Sequence, residues 1–319
     1  MPSLGAGREF DRIRAVLAAL GEDAAGAGDD CAFLPSGSDV LALSTDSSVE
    51  GVHFRREWLS LEEIGWRAAA GALSDLAAVA AEPIGVLAAL VLPDSIGEDE
   101  TVRLMRGIGD ATASVGGKVL GGDLSAGASL VIGITVLGSC GSPVRRTGAT
   151  IGDSLWVTGS LGGPRAALLS LQAGEPPPAA ARAAFAHPEP RVHGARWLAG
   201  RGARAMIDLS DGLAGDAGHL AAASDVRLRI DIASLPVHPD VVSRVARTGE
   251  SAGAFAAVGG EDYELLVALP ATFDEGNAAE HLSDTGVALT RIGAVEAGHG
   301  VSLTEGGVSV PLRSFDHFA

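Results

Sequence analysis

Six short acidic motifs are distributed along this chain, and each is flanked by glycine or by small apolar residues. Apolar runs lead into several of them, and short apolar runs that end at Gly or Asp are typical of buried strands. We therefore expect strand ends to place these carboxylates in one cleft. The motifs are Gly28-Asp29-Asp30, Ser44-Thr45-Asp46, Ser74-Asp75, Gly121-Gly122-Asp123, Asp208-Leu209-Ser210-Asp211 and Gly260-Glu261-Asp262.

Carboxylates gathered in this way need a positive partner. On a solvated helix face Asp and Glu usually alternate with Lys or Arg, whereas these motifs have almost no basic neighbours. Each close pair of carboxylates costs about 4 kcal/mol of repulsion at an effective dielectric constant of about 20. Mg²⁺ commonly binds a few carboxylates together with substrate phosphates, so the pattern predicts magnesium binding. Taken singly, each Asp also suits a turn or a helix cap.

The overall charge narrows the class of ligand. The chain has a net charge of -17 and a single lysine, Lys118, which argues against nucleic acid because phosphate-backbone binding needs clustered Lys and Arg. The Gly-Lys-Ser/Thr ending of a Walker loop is absent from the sequence. If ATP binds, metal ions and arginines must replace the charge of that lysine. The glycines of 159–163 also resemble a phosphate loop, although Gly-rich turns are common.

The cysteines, the N-terminal sequence and the apolar stretches indicate the cellular compartment of the protein. Cys31 and Cys140 have neither a metal-binding nor a redox spacing. The N-terminus lacks a charged stretch followed by an apolar signal core. The longest apolar stretch, 84–92, is far shorter than the ~20 residues of a membrane helix. We expect a cytoplasmic protein without a membrane span.

Length and periodicity favour two α/β domains. A chain of 319 residues is long enough for two cores, and its hydrophobic content of 47% with only 4% aromatics indicates cores of Ala, Val, Leu and Ile. Ser60 and Glu63 have the spacing of a capping box. Apolar spacing predicts helices over 9–20, 61–75, 98–115 and 213–223, strands over 86–92, 118–120, 130–137, 154–158 and 205–208, and a loop with short helical pieces over 175–190.

Seven motifs in one order carry a family resemblance. The chain resembles the thiamine-monophosphate kinases, which belong to the ATP-dependent enzymes related to aminoimidazole ribonucleotide synthetase, and the resemblance runs from residue 9 to 318. The motifs are Gly28-Asp29-Asp30, Ser44-Thr45-Asp46 followed by Glu50-Gly51-Val52-His53-Phe54, Leu73-Ser74-Asp75-Leu76-Ala77-Ala78, Gly121-Gly122-Asp123, Arg146-Thr147-Gly148-Ala149, Asp208-Leu209-Ser210-Asp211-Gly212-Leu213 and Gly259-Gly260-Glu261-Asp262-Tyr263-Glu264-Leu265.

The resemblance implies a two-domain α/β (α+β) fold like that of aminoimidazole ribonucleotide synthetase. It implies an N-terminal domain over 1–147 with the metal and ATP motifs, and a C-terminal domain over 148–319 that completes the cleft. It also implies a homodimer formed through the N-terminal domains. The implied reaction is the ATP- and Mg²⁺-dependent phosphorylation of thiamine monophosphate to thiamine diphosphate, without a general base.

The resemblance assigns roles to individual residues as well. His53 taken alone is typical of a partly buried structural histidine, and Arg146 of a surface residue beside Arg145; the family motifs instead imply substrate and phosphate contacts. The implied metal-site residues are Asp30, Ser44, Thr45, Asp46, Asp75, Asp123, Asp208 and Asp211. The implied ATP-binding residues are Gly122, Asp123, Arg146 and Ser210, and the implied substrate-binding residues are His53, Glu261 and Phe315.

Other members of the superfamily remain alternatives: a selenophosphate synthetase, an aminoimidazole ribonucleotide synthetase or a hydrogenase-maturation protein. The first normally needs an N-terminal Cys or selenocysteine followed by Lys, and the last a C-terminal Cys; this chain has neither. A further alternative is a non-catalytic protein that binds nucleotide or divalent ions, against which the intact carboxylates argue. One departure from the family pattern lies near the site, where Ala72 stands in place of the usual Asn.

Overall fold

Two separate β-sheets organise the residues that the computed structural model describes, which are 8–24 and 26–311. Within those residues the first sheet has five strands in the order β1-β2-β5-β3-β4. The β3–β4 pair is parallel and the other pairs are antiparallel. The strands are β1 (Ala32–Ser36), β2 (Asp39–Val49), β3 (Glu82–Leu92), β4 (Lys118–Ala126) and β5 (Val131–Cys140).

The second sheet belongs to the second half of the chain. Its seven strands in the described residues follow the order β12-β11-β8-β10-β6-β9-β7, and β11 runs parallel to β8 while the remaining pairs are antiparallel. They are β6 (Ser154–Thr158), β7 (Ala205–Asp208), β8 (Arg227–Asp231), β9 (Leu265–Leu269), β10 (Leu289–Glu296), β11 (Gly300–Glu305) and β12 (Val308–Ser309).

Helices separate most of these strands along the chain. They are α1 (Arg8–Leu20), α2 (Leu61–Ala78), α3 (Glu98–Ser114), α4 (Gly163–Gln172), α5 (Ala179–Ala186), α6 (Val192–Gly200), α7 (Leu213–Ser224), α8 (Pro239–Thr248), α9 (Ala252–Ala257) and α10 (Glu275–Thr285). The predicted helices and strands are confirmed to within a few residues at most ends, and β4 extends further than predicted. Ser60 caps α2 with a capping box, as its spacing to Glu63 predicts. The predicted loop over 175–190 contains the short helix α5.

The first sheet buries one face against α2 and α3. Burial alternates along β3: Val86, Ala88 and Leu90 are buried in the core, whereas Leu87 and Ala89 are exposed. The two helices cross at close range: a Cβ on Gly107 would lie 1.9 Å from the carbonyl oxygen of Glu62. Glycine is therefore required where these two backbones touch.

The second sheet is covered on both faces, because β6 and β9 are buried at every residue. Trp156 packs in the cluster that includes α6, whereas Leu155 and Val157 pack on the opposite face with α7. Ala77 and Ala80 at the end of α2 join the cluster of Trp156. Helix α2 thus contributes to the cores on both sides of the domain junction.

Two acidic residues do not lie where the sequence pattern predicted. Asp46 was expected at a strand end, but β2 continues to Val49 and pairs Asp46 with Ile134 of β5. Asp123 likewise lies within β4, paired with Ala89 of β3. The prediction of a strand end was wrong for both, because each strand stays paired beyond its Asp: Val49 pairs with Val131 of β5, and Ala126 pairs with Leu92 of β3.

The predicted domain boundary at 147/148 falls in the connection between β5 and β6 and stays a prediction. Among the helices of the described residues, none combines the length and the apolar character needed to cross a membrane.

Candidate active site at the domain junction

Three carboxylates meet where the two domains face each other. Asp30 precedes β1, Asp75 lies in α2 and Asp208 ends β7, and ligand oxygens of all three lie within 4.8 Å of one another. Asp30 and Asp208 are buried and Asp75 is half-buried. Because the first two elements belong to the N-terminal half and β7 to the C-terminal half, the junction itself assembles this group. We call these three residues the carboxylate triad.

Hydroxyl groups hold two members of the carboxylate triad. The Oγ of Ser44 donates to Oδ2 of Asp75 at 2.5 Å, and the buried Oγ of Ser74 donates to Oδ2 of Asp208 at 2.8 Å. The family resemblance implies a metal-site role for Ser44 and none for Ser74. Its position directly before Asp75 could have indicated this role. Adjacent residues of a helix point in different directions, so Ser74 and Asp75 can serve different parts of one site.

Arg146 supplies positive charge to the triad. Its Nε donates to Oδ2 of Asp30 at 3.1 Å and its Nη2 to Oδ1 at 2.7 Å, the bidentate fork that suits a carboxylate. Its backbone N–H also donates to Asp29. Nearby Asp30 and Asp208 raise the pKa of the Arg146 guanidinium despite its burial, so it stays charged. The residue expected to contact ATP phosphate is therefore engaged by Asp30 in this structure.

Burial and the charges of neighbouring carboxylates make Asp75 and Asp208 weaker acids than an ordinary aspartate. Burial foremost, and then the charge of Asp30, raises the pKa of Asp208 to about 7. Burial and the charges of Asp208 and Asp30 raise the pKa of Asp75 well above its ordinary value. A further carboxylate, that of the buried Asp216, accepts the N–H of Asp211 at 3.2 Å, and burial raises its pKa as well. Such a set favours a proton or a bound cation.

The donor atoms of the triad fit a magnesium ion. Mg²⁺ prefers hard oxygen ligands and usually takes only a few carboxylates, leaving positions for water and substrate phosphate. Three carboxylates from three different elements, two of them oriented by serine hydroxyls, match that requirement. Arg146 is already bidentate on Asp30.

Within the described chain Asp46, Asp123 and Asp211 lie outside the group of three carboxylates whose oxygens meet within 4.8 Å. Thr45, Asp46 and Asp123 are exposed on the first sheet, and Asp211 is half-buried beyond β7. The Oγ1 of Thr45 lies 3.1 Å from that of Thr135, and Asp123 accepts a hydrogen bond from Ser125. Their assignments as ligands stay predictions, as do those of Gly122 and Ser210 to ATP.

A separate pocket brings together the residues expected to bind the substrate. His53 and Glu261, which are distant in sequence, line the same pocket. The Nδ1 of His53 accepts the N–H of Val49 at 3.0 Å, so a neutral His53 carries its proton on Nε2. Phe315 lies outside the described residues. We call this the acceptor pocket; its lining is Asp46, Ser48, His53, Phe54, Ile64, Arg67, Ala68, Glu261 and Tyr263.

The glycines of 159–163 do not form an open phosphate loop. The N–H of Gly162, at the start of α4, donates to Oδ1 of Asp262 at 2.8 Å. The N–H of Leu161 donates to the carbonyl of Pro236. The Asp262 carboxylate therefore occupies the anion position at this helix N-terminus.

Comparison with known proteins places this geometry in a class. The model for the N-terminal domain of AIR synthase related proteins matches residues 28–140, and the model for the C-terminal domain matches residues 150–306. The two-domain fold with carboxylates at its junction is thus that of an AIR synthase related protein. The hydrogenase maturation protein HypE in complex with ATP shares this fold, with a TM-score of 0.73 at 20% identity over 98% of this chain and 96% of that one.

More similar relatives narrow the class to one family. The thiamine-monophosphate kinase of Escherichia coli (strain K12) is 36% identical over 323 residues, covering 98% of this chain and 96% of the relative. That of Aquifex aeolicus (strain VF5) is 32% identical and covers 91% of this chain and 92% of the relative. The solved structure of AaThiL complexed with AMPPCP and TMP has a TM-score of 0.87 at 31% identity, covering 98% of this chain and 97% of that one. The chain belongs to the thiamine-monophosphate kinase family.

Proposed function

We propose that this protein transfers the γ-phosphoryl group of ATP to thiamine monophosphate and releases ADP and thiamine diphosphate. The observation that carries the proposal is the near-complete structural match to AaThiL complexed with AMPPCP and TMP, at a TM-score of 0.87. Arg146 and the carboxylate triad give the chain a site where two phosphates can be brought together.

The acceptor phosphate provides its own nucleophile. The second pKa of a phosphate monoester is about 6, so thiamine monophosphate is largely a dianion at neutral pH. One of its oxygens forms a bond to the γ-phosphorus while the bond from that phosphorus to the bridging oxygen of ATP breaks. The electron pair leaves with ADP. No side chain has to remove a proton, and alignment and charge stabilisation account for the catalysis.

Magnesium is the proposed metal. Asp30, Asp75 and Asp208 would hold it, with Ser44, Thr45, Asp46, Asp123 and Asp211 as the further residues that the family motifs assign to the metal site. When bound, Mg²⁺ neutralises negative charge between the two reacting phosphates. Ser44 and Ser74 keep Asp75 and Asp208 oriented, and Arg146 fixes Asp30. On the ATP side the proposed contacts are Gly122, Asp123, Arg146 and Ser210.

The acceptor pocket is the proposed site of the thiamine moiety. Its His53 presents an Nε2–H donor in the neutral tautomer, and its Glu261 presents a carboxylate acceptor. These complement a substrate that carries both acceptor atoms and an amine. The proposal places the reaction in the cytoplasm, where ATP and Mg²⁺ are present.

A homodimer through the N-terminal domains is also proposed. Strand β5 buries Ile132, Ile134 and Val136 in the domain's own core. The neighbouring strands β3 and β4 instead expose Ile84, Leu87, Val119, Leu120 and Leu124. An exposed apolar sheet surface of this kind suits contact with a second copy. Light scattering is expected to give twice the 32.0 kDa chain mass, and a monomer at micromolar concentration would contradict the proposal.

The catalytic proposal is tested by one incubation. Purified protein with ATP, Mg²⁺ and thiamine monophosphate is expected to form thiamine diphosphate, and chelation of Mg²⁺ to abolish the product. Unphosphorylated thiamine serves as the control, because its hydroxyl lacks the ionised phosphate and needs a base. Its kcat/KM is expected to be at least about a hundredfold lower, near 2.7 kcal/mol. Comparable kcat/KM values for the two acceptors would overturn the proposal.

A further inference from the structure

Arg67 connects the two domains inside the acceptor pocket. It lies in α2 and is 7% exposed. Its Nη1 donates to the carbonyl oxygen of Phe185, and its Nη2 donates to Oε1 of Glu261 at 2.6 Å. Its guanidinium also lies over the Phe185 ring, 4.1 Å from the centroid. Three contacts on one planar group leave Arg67 little freedom.

Glu261 depends on such a partner for its side-chain direction. Its backbone is fixed next to the triad's strand, with a φ of 65° and an N–H that donates to the carbonyl of Ser210 at 2.7 Å. Its carboxylate is partly exposed, at 28%. Arg67 is the one hydrogen-bond partner of that carboxylate among the described residues, and it occupies Oε1 only. Oε2 remains able to accept a hydrogen bond in the pocket.

We propose that Arg67 is a positioning residue for the acceptor substrate: it fixes Glu261 so that Oε2 accepts an N–H from the exocyclic amine of the aminopyrimidine ring. The inference deepens the proposed function and rests on it. A charge-assisted bond from a planar fork holds a carboxylate in one orientation, which a point-like ammonium cannot do while also bonding Phe185. A site built to accept this hydrogen bond rejects an acceptor that lacks it.

A second arginine offers a matched control for a purely structural role. Arg182 of α5 donates to Glu63 at 3.0 Å and to the carbonyl of Trp58 at 3.2 Å. Like Arg67, it links the region of α5 to the N-terminal domain by an ion pair and a carbonyl contact. Unlike Arg67, it does not line the acceptor pocket. Loss of domain contact alone would therefore affect both variants alike.

The kinetic test compares Arg67→Gln, Arg67→Lys and Arg182→Gln. Arg67→Gln is expected to raise the KM for thiamine monophosphate at least about tenfold and the KM for ATP less than about twofold. Arg67→Lys is expected to recover part of the loss because it keeps the charge. Arg182→Gln is expected to leave both KM values within about twofold. Equal rises in both KM values for Arg67→Gln, or the same pattern in Arg182→Gln, would overturn the inference.

The specificity test uses an acceptor in which oxygen replaces the exocyclic amine of the pyrimidine. The wild-type protein is expected to prefer the amine-bearing acceptor, and Arg67→Gln to lose at least about tenfold of that preference in kcat/KM. A preference that is unchanged in Arg67→Gln would overturn the inference even if overall activity falls.

A third measurement separates this inference from the proposed function. The N–H groups of Glu261 and Tyr263 donate to Ser210 and Leu209, so their exchange with deuterium reports the order of this segment. Arg67→Gln is expected to accelerate that exchange at least about tenfold, and Arg182→Gln to leave it unchanged. If the wild-type protein forms no thiamine diphosphate, the proposed function is wrong, and the exchange measurement alone then tests the positioning role of Arg67. Unchanged exchange in Arg67→Gln would reject that role.

Discussion

The carboxylates at the domain junction and those on the first sheet differ in their contact with water. Asp30 and Asp208 are buried, and serine hydroxyls and Arg146 engage the triad. Asp46 and Asp123 are exposed on β2 and β4, and each has a neighbouring N–H or hydroxyl as its hydrogen-bond donor.

This difference separates two ways in which a carboxylate can serve a phosphate site. The buried triad stores repulsion in the metal-free protein, which a cation relieves, so its members should be difficult to replace. An exposed carboxylate has little repulsion to relieve, and water can substitute for it at an ion. We expect the triad to determine catalysis and the exposed pair to modulate it.

The largest effect is expected from Asp75→Asn. Loss of one negative charge from the triad should lower kcat at least about a hundredfold, near 2.7 kcal/mol. The same change removes repulsion between carboxylates. The free energy of unfolding of the metal-free variant should therefore exceed that of the metal-free wild-type protein by about 1 kcal/mol or more. Steady-state kinetics and urea unfolding in chelator measure the two effects. Near-normal turnover of Asp75→Asn at saturating Mg²⁺ would contradict the assignment of Asp75 to the metal site.

Metal-free stability should depend on pH in the opposite direction to that of most carboxylates. The folded-state pKa of Asp208 is raised to about 7 from 3.8, so the folded protein binds a proton that the unfolded chain does not bind between those values. The loss of stability caused by the ionised Asp208 is complete above pH 7 and becomes smaller as the pH falls. Urea unfolding in chelator is expected to give about 2 kcal/mol more stability at pH 5 than at pH 8. A rise in stability with pH across this window would contradict the raised pKa.

A smaller effect is expected from Asp46→Asn. Because Asp46 is exposed, its loss should lower kcat by about tenfold at limiting Mg²⁺, near 1.4 kcal/mol, and less at saturating Mg²⁺. Asp39→Asn is the matched control, since Asp39 is an exposed aspartate on the same strand β2 and lies outside the acceptor pocket. A titration with Mg²⁺ separates the variants. A loss as large as that of Asp75→Asn at saturating Mg²⁺ would erase the proposed distinction between the two regions.

The smallest effect is expected from Ser74→Ala. The hydroxyl of Ser74 orients Asp208 without belonging to the proposed ligands, so kcat should fall about threefold. The lost hydrogen bond should lower the free energy of unfolding by about 1 kcal/mol. Ser44→Ala provides the comparison on Asp75, the less buried partner. If Ser74→Ala loses as much activity as Asp75→Asn, Ser74 is itself part of the metal site.

Local patterns predicted most of the elements that carry the site. Ser60 and Glu63 fixed the start of α2, and apolar runs located β6 and β7, because capping and burial act over a few residues. The prediction of strand ends failed for Asp46 and Asp123. Whether a strand stops or continues depends on the partner strand, and β2 continues because β5 pairs with it through Val49.

The sequence by itself determined the chemistry of this protein: the number of carboxylates, the absence of a P-loop lysine and the family order of the motifs. Only the tertiary structure decided which of those carboxylates meet and which remain in water. It also joined Arg67 to Glu261, which are 194 residues apart, and turned Arg146 onto Asp30. The Arg67–Glu261 contact depends on how the two folded domains dock, and the Arg146–Asp30 contact on how distant parts of the chain fold together. Residue periodicity carries information only within each element.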